Sequence, residues 1–186
     1  MNLLIGGLLL WTVAHFFKRL APQMRASLTA KMGEGSKGVM AVLIVASIVM
    51  MVFGYRAATV EIMYDLPSFT RHLNNTLMII SVVLLGMGNS KGRARTWLRH
   101  PMLWGVVVWA GAHLLVNGDV ASIVLFGGMG VWALANMVLI NVQEGAWEKP
   151  KAGPAKGDIK LLIISVVVFS VISGLHIWLG PNPFGG

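Results

Sequence analysis

LLIGGLLLWTVAHFFKR, residues 3–19, stays apolar from Leu3 to Phe17 apart from Thr12 and His15, and then stops at Lys18 and Arg19. A membrane-crossing helix needs ~20 mostly apolar residues, and snorkelling charged flanks extend a slightly shorter run. Five more runs of this kind follow. They are 39–55, ended by Arg56; 76–88, between Asn74-Asn75 and Asn89-Ser90-Lys91; 102–116, after Pro101; 120–142, after Asn117-Gly118-Asp119; and 159–179, ended by Gly180 and Pro181. The expectation is an all-α, polytopic integral membrane bundle of about six transmembrane helices, in a single domain over 1–186. Composition agrees: 56% of residues are hydrophobic and 12% charged, with a mean hydropathy of +0.73, against roughly 25% charged residues in a soluble domain.

Charge placement sets an orientation. A secretory signal carries its positive charges ahead of the apolar run, whereas Lys18 and Arg19 follow it, so residues 3–17 read as a retained helix. Basic residues then concentrate in alternate loops: Lys18, Arg19, Arg25, Lys31 and Lys37; Lys91, Arg93, Arg95 and Arg99; Lys149, Lys151, Lys156 and Lys160. The intervening loops hold only Arg56 and Arg71, or none. The positive-inside rule places the basic loops in the cytoplasm and both termini outside. The net charge of +8 on so apolar a chain points to an anionic lipid surface and away from nucleic acid, because the cations lack interleaved base-reading aromatics. Residues 144–160, with Pro150, Gly153, Pro154 and Gly157, read as a flexible linker. No internal repeat stands out.

Cysteine is absent, which excludes thiolate metal sites and thiol nucleophiles. No Gly-x-Ser-x-Gly motif, phosphate loop or intramembrane carboxylate pair is present. What remains is histidine. His15, His113 and His176 fall inside apolar runs, His72 lies at the external entrance of the third, and His100 precedes Pro101. An ionisable side chain inside a spanning helix costs on the order of 2.5–3.5 kcal/mol when charged, so it normally has a partner or a role. Imidazole is the commonest side-chain metal ligand, and one or two from separate helices hold a b-type haem. Trp104, Gly105, Trp109 and Gly111 in the fourth run, with Gly127, Gly128, Gly130 and Trp132 in the fifth, offer flat and small surfaces. A plainer reading stays open: hydrogen-bonded histidines, and glycines that let backbones pack.

Arg99-His100-Pro101-Met102-Leu103-Trp104-Gly105, with Trp109, His113-Leu114-Leu115 and Asn117-Gly118-Asp119, resembles the core of the NnrU family of bacterial membrane proteins. His15, Leu28 with Gly33-Glu34-Gly35, Gly54-Tyr55-Arg56 and Thr70-Arg71-His72-Leu73 resemble it in order and spacing. The resemblance implies a multi-pass bacterial inner-membrane protein linked by its family name to nitrite and nitric oxide metabolism. The family is similar to the 15-cis-zeta-carotene isomerase of plants and cyanobacteria, in which histidines hold a b-type haem that changes ligation with redox state. Carried over by motif, the iron ligands are His15 and His113, with Arg99, His100, Trp104 and Trp109 in the cofactor's surroundings. The isomerase has a cysteine three residues before the second histidine. Ala110 stands there in this chain.

Depth favours another pairing. His15 is close to the cytoplasmic end of its helix, whereas His113 is ~18 Å along its own at 1.5 Å per residue, a level better matched by His176 and His72. The leading expectation is a haem b protein of nitrogen-oxide or redox metabolism, with His15 and His113 as ligands and His176 or His72 as alternatives. Its partners would be membrane lipid, nitric oxide or a hydrophobic small molecule, and an electron donor that the sequence does not identify. The alternatives are a haem-dependent cis-trans isomerase of a polyene and a non-catalytic membrane assembly protein.

Overall fold

A computed structural model describes residues 1–180 and 182–184. Every apolar run is a helix, and among the described residues there is no strand, only an isolated bridge between Ile62 and Asp119. We number α1 Asn2–Leu20, α2 Pro22–Met32, α3 Gly35–Arg56, α4 Thr70–Met87, α5 Pro101–Leu114, α6 Val120–Glu144 and α7 Ala155–Leu179. Four of them, α1, α3, α6 and α7, are long and apolar enough to cross a membrane, and α5 is a shorter apolar helix. The outward faces of α3 and α7 are apolar: Val42, Val45, Phe53, Ile163, Val166 and Val171 are all exposed. In hydrocarbon that exposure is the favourable arrangement, since lipid replaces water as solvent and peptide groups must bond within the helix.

The chain forms two compact units, Met1–Met63 with Asp119–Gly128, and Tyr64–Gly118 with Met129–Gly186. In the first, α1 packs on α3 with the backbones in contact. A Cβ on Gly54 would fall into the Leu4 backbone, and one on Gly7 would lie 2.9 Å from the Ser47 carbonyl and 2.8 Å from the Met51 N. Between membrane helices there is no hydrophobic drive to associate, so such small-residue contacts supply the packing. The edge of this unit at Asp119 is tied by polar bonds. The Asp119 carboxylate accepts from the Ser122 N–H (2.9 Å) and hydroxyl (2.5 Å), capping α6, and the Tyr55 and Ser122 hydroxyls bond at 2.8 Å. A π turn, Ile123–Gly127, follows within α6.

The second unit packs α4 against both α5 and α7. Gly105 leaves room for Leu85, the buried Ser81 hydroxyl donates to the Gly105 carbonyl at 2.8 Å, and Gly86 makes room for Leu161. Met87, Ala94 and Leu161 form a buried cluster at one end.

Three expectations change. Residues 22–32, read as loop, form α2, a helix with no buried residue. The third run begins earlier, at Thr70, where the Thr70, Arg71 and His72 N–H groups donate to the Pro67, Ser68 and Phe69 carbonyls (3.0–3.2 Å) in a tight first turn ahead of the apolar part. Residues 144–160 are not a free linker: the Gly153 N–H donates to the Gly92 carbonyl (3.2 Å), the Asp158 carboxylate accepts from the Ala94 N–H (3.0 Å), and α7 starts at Ala155.

Gly54→Leu is expected to cost about 1–3 kcal/mol by overpacking, seen as a lower Tm of the detergent-purified protein. Gly38→Leu, where a Cβ meets nothing within 4 Å, should not lower it.

Candidate functional site

His113 sits on α5, one residue before the helix ends, half-buried in the second unit. Its Nδ1–H donates to the Trp109 carbonyl at 2.9 Å, and the Trp109 ring lies 5.1 Å away, tilted by 52°. A carbonyl can only accept, so this bond fixes the proton on Nδ1 and makes Nε2 the basic nitrogen. His176 on α7 is held the same way, with Nδ1–H donating to the Ile172 carbonyl at 2.8 Å. Metal-binding histidines are commonly oriented by a bond of this kind, which turns the other nitrogen toward the metal.

The two rings line one cavity. Asn74, Asn75 and Met78 of α4 and Ser173 of α7 complete much of its wall, and its volume is about 50 Å³. Asn74 is 7% exposed, and its Oδ1 is buried without a hydrogen-bond partner, while its Nδ2 donates to Asn75 at 2.9 Å. The cavity thus gathers two imidazoles, a thioether and an amide oxygen. One water occupies about 30 Å³ of liquid, so the space suits an ion with a ligand or a diatomic molecule. Among the described residues no three His, Cys, Asp or Glu side chains form a metal-binding group.

The other predicted residues are placed differently. His15 belongs to the first unit, with Nδ1–H donating to the Trp11 carbonyl at 2.8 Å and the Trp11 ring 4.1 Å away. His72 is exposed in the first turn of α4 and is not among the residues lining the His113 cavity. Arg99 and His100 work on the end of α6: the guanidinium donates to the Gly145 carbonyl (2.5 Å), and His100 Nε2 bonds Asn141 Oδ1 (2.9 Å). Gly145 has φ +68°, the left-handed turn that glycine permits after a helix. Trp104 is exposed and Trp109 half-buried. The glycines expected to leave room divide: Gly105 is filled by Leu85, Gly128 by Leu8 and Gly130 by Ala110, whereas Gly111 and Gly127 face open space.

The profile of the family described as NnrU protein matches residues 3–183. The chain belongs to the NnrU family. It is also similar to a UPF0344 protein of Bacillus velezensis, 27% identical over 113 residues, 58% of this chain and 88% of that protein. No solved structure matches.

This NnrU chain carries a repeat that sequence reading passed over. Gly7, Trp11, Ala14 and His15 recur at the same spacing as Gly105, Trp109, Ala112 and His113. In both copies the glycine and alanine are buried, the tryptophan and histidine are half-buried, and the glycine meets a helix bearing a fully buried serine, Ser47 or Ser81. Each unit therefore presents one imidazole on the same local frame.

Arg99→Ala should expose the chain after Glu144 to limited proteolysis and lower the Tm. Loss of a hydrogen bond to a charged group typically costs ~1.5–3 kcal/mol. Metal or haem content per folded protein should not change.

Proposed function

We propose that this NnrU protein is a six-pass protein of the bacterial inner membrane that holds a redox metal at intramembrane imidazoles and acts in nitrogen-oxide or redox metabolism. Support comes first from the tautomer. His113 lies in an apolar helix bundle with its Nδ1–H bonded to its own backbone, which makes Nε2 the nitrogen with which a metal would be held. Four helices have the length and hydropathy to cross, and the shorter α5 and the more polar α4 complete the even number that alternating basic loops require. α2, with Arg25 and Lys31, lies on the cytoplasmic side in this arrangement.

Haem b is the group that the resemblance implies, and the donor chemistry fits it. The cavity shared by His113 and His176 does not. At about 50 Å³ it is far below the roughly 300–1,000 Å³ of small-molecule sites, so a macrocycle is not held between those two rings. That cavity suits a single transition-metal ion, for which imidazole and thioether donors favour copper over hard cations. His113 is the ligand common to both readings. The His15–His113 pair rests on the resemblance.

The purified protein is expected to carry iron or copper near one per chain, and His113→Ala to lose it while remaining folded. A Soret band abolished by His15→Ala and kept by His176→Ala assigns haem b. Copper without a Soret band, lost in His176→Ala and Met78→Leu, assigns the two-histidine ion site. Wild-type protein with neither metal nor haem overturns the proposal.

Orientation is tested separately, since the chain has no cysteine. Single Ser27→Cys and Ala152→Cys variants should react with an impermeant maleimide only after the cytoplasmic face is opened, and Ser68→Cys from outside in intact cells.

A further inference from the structure

In the second unit a groove of about 460 Å³ runs between α4 and α7. Its ends differ chemically. At one end lie Asn89, Ser90, Lys91 and Lys160, and toward the other the wall is aliphatic apart from Ser165, ending in Val168 and Ile172. From Gly157 to Ile172 the α7 wall extends ~22 Å at 1.5 Å per residue, more than half of the ~30 Å hydrocarbon core.

Three features of the polar end point to an anion. Lys91 and Lys160 are both exposed there, and no acidic side chain lines the groove. The adjacent Asp158 is turned to the Ala94 N–H instead. The Ser90 Oγ is buried in the wall with no hydrogen-bond partner, although a hydroxyl left so costs free energy unless an occupant satisfies it. Gly157, in the first turn of α7, adds the positive end of a helix dipole.

We propose that this groove is a binding site for an anionic phospholipid of the surrounding membrane, its phosphate at Lys91, Lys160 and Ser90 and one acyl chain along Leu85, Ile164 and Val168. A zwitterionic headgroup brings a cation toward two lysines, and a free phosphate leaves the aliphatic length of the groove uncovered. The far end adjoins the histidine cavity, since Val82 and Ile172 line both spaces. A bound chain therefore packs behind the walls of that cavity. The lipid site stands independently of which metal, or whether any, is held there.

Native mass spectrometry of the full-length protein, released from detergent with phosphatidylglycerol or phosphatidylcholine, tests the assignment. Wild type should retain phosphatidylglycerol in preference to phosphatidylcholine. Lys91→Ala with Lys160→Ala should weaken retention about 10- to 30-fold, given ~1 kcal/mol per lysine at an anionic surface. Ile164→Trp, at an exposed position of the groove, should displace the lipid by filling the chain's place while both lysines remain. Glycerol phosphate should not compete. Equal retention of the two lipids, unchanged binding in either variant, or displacement by glycerol phosphate overturns the proposal.

Discussion

No water reaches the hydrocarbon of a bilayer to satisfy a peptide group or a side-chain N–H, and the rest of this structure follows from that constraint. The backbone answers it with helices. The histidines answer it locally: His15, His113 and His176 each donate Nδ1–H to a carbonyl one turn back on their own helix. A bond made to keep an N–H paired in apolar surroundings also settles which nitrogen is basic. Fold stability and candidate chemistry thus meet at one hydrogen bond in each helix.

Helix contacts show the same economy of polar atoms. Gly7 and Gly54 let α1 and α3 touch backbone to backbone, and Gly105 does so for α5 and α4, where the Ser81 hydroxyl is bonded rather than orphaned. Against this background an unpartnered polar atom stands out. Asn74 Oδ1 beside the two imidazoles and Ser90 Oγ beside the two lysines are such atoms. Each lines a cavity that also holds side chains of related chemistry: two imidazoles and a thioether among apolar neighbours in the first, two lysines above a mostly aliphatic wall in the second.

Much of this was legible in the sequence because lipid solvent writes a strong signal. All six apolar runs are helices, and the Asn117-Gly118-Asp119 break read ahead of the fifth is followed by a helix that Asp119 caps. α2 was not read as a helix because it buries nothing, and its apolar residues, Met24, Leu28 and Met32, are too few among charged and polar neighbours to mark a membrane-crossing run. The early start of α4 was hidden by Arg71, His72, Asn74 and Asn75, which look like a loop until Asn74 is seen buried in the helix. The docking of residues 153–158 on Gly92 and Ala94 depends on backbone bonds that no composition rule reports.

At the site, the histidines were legible and their company was not. Arg99 and His100 carried the motif that gave the family, yet the structure uses them to fasten the end of α6. The His113–His176 pairing followed from depth along the helices, while Met78 and Asn74 gave no signal of their own beside it. Nitrogen hyperfine spectroscopy on the paramagnetic, metal-loaded protein with ¹⁵N-labelled histidine tests the central claim most directly. A directly coordinated imidazole ¹⁵N that disappears in His113→Ala is the predicted result. A metal signal with no imidazole coupling, or one indifferent to residue 113, would contradict the account.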